Sequence, residues 1–315
     1  MNKYDNIRII FMGTPEFALP SLKALIEKGF NVTHVVTQPD RPKGRGRKPH
    51  PPPVKKLALQ YKLPILQPEN ASDKGFIDFL KQNRPDLIIV VAYGQILKKE
   101  LLNIPSFYAI NVHPSLLPKY RGAAPIQWTI INDDSITGVT IIKMNERMDA
   151  GPILLQKEVQ ILPDETAGQL HSRLSEIGAD LLLAAINKII DGSIEEVPQD
   201  ESKVTYAPKI ERSMSNIKWK DSAKHISAKI RAFDPWPGAV TNIKGKSLKL
   251  FSSAILDNNY TGEPGRIYGF NKDGIIIETC KGLIIVRELQ AAGKRRLPAY
   301  EFLKGFPLKK GERFF

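Results

Sequence analysis

The 315-residue sequence has little cysteine and no long apolar run. Cys280 is its one cysteine, which excludes an intramolecular disulfide framework and a metal cluster built on cysteines. No apolar run approaches the roughly 18–20 residues that a membrane helix requires. No small-residue cleavage site follows the apolar stretch at residues 7–12, so we interpret it as a strand rather than a signal peptide. We therefore expect a cytoplasmic protein that does not enter the membrane.

Signature motifs of several enzyme classes are also missing. The turn Gly13-Thr14-Pro15 has one glycine where a dinucleotide fingerprint needs Gly-x-Gly-x-x-Gly, so NAD is not expected. There is no Gly-x-Ser-x-Gly nucleophile elbow. No His-x-x-x-His pair or comparable cluster predicts a metal site. These absences favour chemistry without a covalent nucleophile or a metal.

Positive charge is abundant and unevenly placed. The formal net charge is +13, and residues 209–315 hold 21 lysines and arginines against 10 acidic residues. Residues 39–56 carry seven more basic residues and one acid, whereas the rest of the chain is slightly acidic. Concentration by region favours a polyanionic partner, above all nucleic acid, and the alternative is a solubilising surface.

Hydrophobic patterning predicts an α/β domain followed by a β-rich domain. Strand and helix patterns alternate through residue 191, which predicts a Rossmann-like, mostly parallel sheet, with Thr14 as the N-cap of the first helix and a helix over residues 96–102. After residue 208, short strand patterns separated by glycine, asparagine and proline predict a small OB-like β-barrel. We place the first domain at residues 1–194, the linker at 195–208 and the basic barrel at 209–315.

The segment 38–53 is rich in proline, glycine and basic residues. Its low apolar content predicts an exposed, mobile loop, and such long loops are uncommon in compact domains unless they have a function. The basic side chains suit phosphate contacts, although a solvated linker is an equal alternative from composition alone. These side chains are Arg41, Lys43, Arg45, Arg47 and Lys48.

Three polar residues lie near predicted strand ends. Asn111 and His113 are one residue apart on a strand, so their side chains share a face, and Asp149 follows a later strand. A carboxylate beside an imidazole favours the protonated ring, which could then donate to an oxyanion together with the Asn111 amide. Taken singly, each residue is more often structural. Together they predict stabilisation of a carbonyl oxyanion.

The residues around this group carry a specific resemblance. The run INVHPSLLPKYRGAAPIQ at 110–127, with Asp149 downstream, resembles the formyltetrahydrofolate-dependent transformylase superfamily. The stretches FMGTPEFA at 11–18, TQPDRPKGRGRK at 37–48 and RAFDPWPGA at 231–239 extend the resemblance over nearly the whole chain. They look like the members of the superfamily that act on methionyl-tRNA.

The resemblance implies a reaction and a set of roles. A formyl group would pass from 10-formyltetrahydrofolate, the cosubstrate, to the α-amino group of methionyl initiator tRNA, with no metal and no membrane partner. Asn111, His113 and Asp149 would be catalytic, and the backbone at 92–96 would line the pterin pocket. The loop with Arg45 would recognise the tRNA acceptor end. The protein is expected to be monomeric. The folate-contacting segment would comprise Ser115, Leu116, Leu117 and Pro118.

Three other functions remain open at this point. A sugar-nucleotide N-formyltransferase shares the catalytic pattern, but it needs neither a basic loop nor a basic barrel. A formyltetrahydrofolate hydrolase is disfavoured by the arginine-rich loop. A tRNA-binding protein with a vestigial transferase site is disfavoured by the intact Asn111, His113 and Asp149. Pro114 stands where glycine is frequent in the superfamily, and we expect only a local backbone effect.

Overall fold

The computed structural model describes residues 6–43 and 48–315, which divide into two compact units. The first unit takes its described residues from Met1–Gly122, Thr137–Val159 and His171–Tyr206. The second comprises Ala123–Ile136, Gln160–Leu170 and Ala207–Phe315. Two segments that precede residue 195 thus belong to the second unit. The domain boundaries given above stay a prediction.

Seventeen strands and eight α-helices are formed by the described residues. The strands up to residue 207 are β1 (Arg8–Gly13), β2 (Asn31–Val36), β3 (Arg41–Lys43), β4 (Lys48–His50), β5 (Ile65–Leu66), β6 (Leu87–Val91), β7 (Tyr108–His113), β8 (Arg121–Gly122), β9 (Ile136–Lys143), β10 (Ile153–Gln160) and β11 (Tyr206–Ala207). The later strands are β12 (Ala239–Ile243), β13 (Lys246–Asp257), β14 (Ile267–Phe270), β15 (Ile275–Glu278), β16 (Leu283–Ala291) and β17 (Leu297–Pro298). The helices are α1 (Leu19–Glu27), α2 (Pro53–Gln60), α3 (Lys74–Asn83), α4 (Lys99–Leu102), α5 (Pro125–Ile131), α6 (Ala167–Ile190), α7 (Ala223–Ala232) and α8 (Ala299–Gly305).

A seven-stranded sheet in the order β10-β9-β7-β6-β1-β2-β5 forms the centre of the first unit. The five strands from β5 to β7 in that order pair in parallel, and β9 pairs with β7 antiparallel. The central strand β6 (LIIVV) is buried at every position, as expected for a parallel strand covered on both faces. The carboxyl ends of β1, β2, β6 and β7 therefore meet at one edge of the sheet.

Two local predictions in this unit are wrong. Thr14 does not cap a helix: a short 3₁₀ turn, Glu16–Ala18, precedes α1. Its hydroxyl donates instead to the Tyr93 carbonyl at 2.8 Å, a tertiary bond between the ends of β1 and β6. The helix predicted at 96–102 is confined to Lys99–Leu102, and Ile96 is 82% exposed.

The second unit contains an antiparallel sheet in the order β12-β13-β16-β15-β14, with β17 paired to β16. Helix α7 begins at a capped position, since the Ser222 hydroxyl accepts from the His225 amide at 3.3 Å. Its apolar face, which includes Ile226 and Ile230, is fully buried. Burial of this face and of the sheet interior forms the core of the unit.

Residues 311–315 connect the two edge strands of this sheet. The Ile267 amide on β14 donates to the Glu312 carbonyl at 2.8 Å, and the backbones of Asn242 on β12 and Phe315 exchange bonds of 2.9 and 2.8 Å. Pairing of both edges produces a barrel-like arrangement without a long exposed edge. The predicted fold class, a mostly parallel α/β domain followed by a β-rich domain, is confirmed. None of the helices formed by the described residues has the length and apolar character to span a membrane.

Candidate active site

The candidate site lies at the carboxyl end of β7. This strand is flanked by β6, with Val90 opposite Asn111, and by β9, with Thr140 opposite His113. Asn111 is half-buried and His113 is 4% exposed. Because strand side chains alternate between faces, the amide and the imidazole share one face of β7.

The imidazole of His113 has a defined polar contact at each nitrogen. Nε2 lies 3.0 Å from the backbone oxygen of Tyr120, and Nδ1 lies 3.7 Å from Oδ1 of Asp149. A hydrogen on Nε2 is needed to donate to the Tyr120 carbonyl. The structure thus brings His113 and Asp149 together, although they are distant in the sequence.

Asp149 is held by the backbone around it. Its Oδ2 accepts from the Gly122 amide at 2.8 Å, and its own backbone is left-handed, with a φ of 52°. A Cβ at Gly151 would collide with the backbone oxygen of Lys143, so the chain can return close to β9 only with glycine there. Glycine at 151 therefore allows the tight loop that carries the carboxylate to His113.

The segment from Ser115 to Pro118 is hydrogen-bonded to side chains of β9 and β10. The hydroxyl of Thr140 donates to the Ser115 carbonyl at 2.6 Å, and Gln156 Nε2 donates to the Leu117 carbonyl at 2.8 Å. Ser115 and Leu117 are buried, and the Ser115 hydroxyl donates to the Lys119 carbonyl at 2.7 Å. Leu116 and Pro118 are half-exposed. The folate role of this segment stays a prediction, with Leu116 and Pro118 as the side chains accessible to a ligand.

The turn after β6 presents backbone rather than side chains. Ala92 and Gly94 are exposed and both have positive φ angles, 48° and 94°. The Tyr93 ring is 1% exposed, and burial raises the pKa of its hydroxyl to about 12. Gln95 accepts from the Ala71 amide at 2.8 Å and thus anchors the neighbouring segment. Exposed backbone at the end of β6 lies beside the end of β7, as expected for one ligand cleft.

The described parts of the basic segment, residues 38–43 and 48–53, include two short strands that were not predicted. Strands β3 and β4 pair antiparallel, with Arg41 opposite His50 and Lys43 opposite Lys48. Arg41 is exposed and lies 3.6 Å from the Glu69 carboxylate. Arg45 and Arg47 lie outside the described residues. The mobility expected for this segment stays a prediction; at its described ends, cross-strand backbone bonds offset the entropy of ordering the two strands.

A carboxylate anchors this hairpin to the first unit. Both oxygens of Asp40 accept from Lys55 Nζ, at 2.8 and 2.9 Å, and Oδ1 also accepts from Gln67 Nε2 at 2.8 Å. The hydrogen bond from Lys55 and then that from Gln67 lower the pKa of Asp40. The anchor therefore stabilises the fold fully above about pH 4, the unfolded-state pKa, and is lost as the pH falls through the lowered folded-state value.

This pKa shift can be measured directly. In an NMR titration, the Asp40 carboxyl should titrate below the usual range for aspartate, about pH 3.9. Lys55→Met should raise the pKa of Asp40 towards that range, because the principal donor is removed. An unchanged titration midpoint in Lys55→Met would show that Lys55 does not control this carboxylate.

Sequence reasoning missed three side chains next to the site. Arg121, which is 1% exposed, donates to Gln199 and lies 3.1 Å from Glu201. Arg121 belongs to the run at 110–127 but had no assigned role, and nothing in the composition of the linker marks Gln199 or Glu201. Within the described parts of the chain, no group of three or more His, Cys, Asp or Glu side chains is placed to hold a metal ion.

Comparison with known proteins defines the class of this site. The sequence pattern of the Formyl transferase family matches residues 6–186, and that of the Formyl transferase C-terminal domain matches residues 209–307. Two solved structures have the same fold. WlaRD, a sugar 3N-formyl transferase, has a TM-score of 0.67 at 22% identity and covers 92% of this chain and 99% of its own. HypX from Aquifex aeolicus has a TM-score of 0.64 at 19% identity and covers 99% of this chain and 51% of its own.

The site thus lies in a formyl transferase, and curated relatives narrow the class. A relative from Geobacter sulfurreducens is 46% identical over 98% of this chain and 96% of its own length. Another from Acetivibrio thermocellus is 42% identical over 97% of this chain and 99% of its own. Both are named methionyl-tRNA formyltransferase. The chain belongs to the methionyl-tRNA formyltransferase family.

Proposed function

We propose that this enzyme transfers the formyl group of 10-formyltetrahydrofolate to the α-amino group of methionyl initiator tRNA, for the initiation of translation. The observation that carries the proposal is the near full-length similarity to relatives named methionyl-tRNA formyltransferase. Tetrahydrofolic acid is bound in the solved HypX structure, which has the same fold and supports a folate cosubstrate. We expect one acceptor tRNA per chain and therefore a monomer, which acts in the cytoplasm.

In the proposed step, the methionyl amine attacks the formyl carbon directly. A new carbon–nitrogen bond forms, negative charge develops on the formyl oxygen, and the bond to the tetrahydrofolate nitrogen then breaks. The amine loses a proton, and the departing nitrogen gains one. Asn111 and His113 are the donors to the oxyanion, since both side chains lie on one face of β7.

The contacts of His113 support this role and indicate how the site adapts. Nε2 donates to the Tyr120 carbonyl, and the formyl oxygen replaces that carbonyl as acceptor when the substrate binds. Asp149 at 3.7 Å orients the ring and accepts the amine proton through water. Hydrogen bonds of catalytic groups commonly shorten once the substrate is present, so 3.7 Å is compatible with this role.

The formyl donor and the acceptor tRNA are assigned to separate parts of the chain. Ser115–Pro118 and the exposed backbone at Ala92 and Gly94 border the end of β7, where the donor is expected. The described hairpin strands carry Arg41, Lys43 and Lys48 on either side of Arg45 and Arg47. Together with the basic residues of 209–315, these cations are suited to the phosphates of the acceptor tRNA.

A comparison of acceptors tests the proposal. The enzyme is incubated with 10-formyltetrahydrofolate and either methionyl initiator tRNA or a UDP-amino-sugar, and formylated product is quantified. We expect turnover on the tRNA and none on the sugar nucleotide. Turnover on the sugar alone would replace the proposal with a sugar N-formyltransferase. Release of formate without an acceptor would indicate a hydrolase, and tRNA binding without turnover would indicate a vestigial site.

The hairpin assignment gives a prediction of its own. Arg45→Ala should reduce kcat/KM for methionyl initiator tRNA about tenfold and lower the log–log salt slope of binding by about 1, because one phosphate contact is lost. Lys23→Ala, at an exposed position on α1 paired with Glu27, is the charge-matched control and should change neither quantity. Equal salt slopes for Arg45→Ala and the unmodified enzyme would remove Arg45 from the tRNA interface.

A further inference from the structure

The segment between the two family matches contacts the proposed catalytic loop. Gln199 Nε2 donates to the carbonyls of Asp149 and Gly151, at 2.7 and 2.8 Å. Its Oε1 accepts from Nε and Nη2 of Arg121, at 3.1 and 2.8 Å. Both hydrogens and both lone pairs of the amide are therefore used. A rotated amide would place its oxygen against two carbonyl oxygens, so only one orientation of Gln199 satisfies this environment.

The guanidinium that binds Gln199 is itself buried and paired. Arg121 is 1% exposed, and its Nη2 lies 3.1 Å from Oε1 of Glu201. The hydrogen bond from Arg121 is the principal cause of the lowered pKa of Glu201. Because a buried guanidinium without a partner is strongly unfavourable, the positions of Gln199 and Glu201 are coupled to that of Arg121.

The same group of residues controls both the backbone and the carboxylate of Asp149. Gln199 holds the Asp149 carbonyl within a left-handed turn, whose φ is 52°. The Gly122 amide, next to Arg121 in the chain, donates to Asp149 Oδ2 at 2.8 Å. Further along the segment, Thr205 accepts from the Arg121 amide at 2.9 Å. Gln199 thus joins the loop with Asp149 to the strand with Arg121, and Glu201 and Thr205 bind Arg121 as well.

We propose that Gln199 and Arg121 are positioning residues that hold Asp149 at the distance and angle needed to orient His113. This inference rests on the proposed function, since Asp149 must act in formyl transfer for its position to affect the rate. The proposal assigns a role in the reaction to Gln199, which lies outside both family matches. The first match ends at residue 186, and the second begins at residue 209.

The isosteric change Gln199→Glu provides the test. A carboxylate retains the acceptor for Arg121 but places an oxygen against the carbonyls of Asp149 and Gly151, so the loop must shift. We expect kcat to fall about 10- to 100-fold, the loss typical of small misplacements of reacting groups. KM for both substrates should change less than about threefold, because Gln199 is assigned no contact with either.

A double-mutant cycle separates positioning from a general structural effect. If Gln199 acts through Asp149, Gln199→Glu should lower kcat less than about threefold in an Asp149→Asn background. Gln199→Met, which adds no charge, should also lower kcat. If Gln199→Glu folds poorly, Gln199→Met replaces it in the cycle with Asp149→Asn and should show the same non-additivity. Lys203→Gln, at a 71% exposed position of the same segment, is the control and should retain full kcat.

Each outcome has a distinct meaning. Full turnover by Asp149→Asn would overturn the proposed role of Asp149 and, with it, the positioning role of Gln199 and Arg121. Loss of turnover in Asp149→Asn, combined with full turnover by both Gln199 variants or with additive effects, would overturn the positioning role alone. Non-additive losses with unchanged KM and an unchanged thermal midpoint support the proposal.

Discussion

Replacing His113 with alanine is expected to lower kcat for formyl transfer about 10³-fold, in the range found for loss of an oxyanion donor or a general acid–base group. The ring is 4% exposed and lies between the Tyr120 carbonyl and Asp149. Little of it is accessible to a macromolecule, so tRNA affinity should remain nearly unchanged. Steady-state formylation at saturating substrates measures kcat, and filter binding of tRNA measures the affinity.

The control for this variant is its stability. A thermal midpoint close to that of the unmodified enzyme shows that the loss of rate does not arise from unfolding. His113→Asn, which keeps a polar side chain that can donate, should retain more activity than His113→Ala. Turnover by His113→Ala within a few-fold of the unmodified enzyme would contradict the assignment of an oxyanion donor.

Replacing Gly138 with alanine is expected to lower the free energy of unfolding by about 3 kcal/mol. The new Cβ would overlap the backbone oxygen of Lys157 on β10 and lie 2.5 Å from Cδ2 of Leu116. Backbone cannot move aside as a flexible side chain can, so β9 and β10 must separate. The shift also displaces Leu116, which should raise KM for the formyl donor.

Gly75 on α3 provides a matched control, because alanine there should not lower the free energy of unfolding. A Cβ there would have no atom within 4 Å, and alanine favours a helix over glycine by up to about 1 kcal/mol. Gly75→Ala should therefore leave the free energy of unfolding unchanged or raise it, while Gly138→Ala lowers it. Urea unfolding of both variants gives the comparison. Equal stabilities would refute close packing of β9 against β10 and Leu116.

Local sequence was sufficient to predict most of the regular helices and strands. It failed where a tertiary hydrogen bond competes with a local one. The Ser222 hydroxyl caps α7 by accepting from the His225 amide, the usual contact of a serine at the start of a helix. Thr14 also lies just before a helix, yet its hydroxyl donates to the Tyr93 carbonyl, which only the sheet brings near. The pairing of β3 with β4 was likewise not expected from a proline- and glycine-rich composition, and the adjacent Asp40 is bound by Lys55, a contact that no local pattern predicts.

The candidate site likewise combines features that local sequence predicts with features that depend on the fold. Asn111 and His113 share a face because strand side chains alternate, a property of local geometry that needs no fold. Asp149 was a candidate partner because it follows a predicted strand, and the resemblance then assigned it a role. Its separation of 3.7 Å from His113 depends on the loop after β9. Gln199 and Glu201 gave no signal, since a glutamine and a glutamate in a polar segment are ordinary surface residues until a buried guanidinium faces them.

The sequence by itself determined the two-part fold class, the strand that presents Asn111 and His113, and the basic character of two regions, because periodicity and charge are properties of short segments. Only the tertiary structure decided which groups meet. Arg121, Gln199 and Asp149 come from three separate segments, and their hydrogen bonds exist because the order of the sheet and the path of residues 195–206 bring those segments together. Partners distant in the chain are selected by packing, which no local pattern encodes.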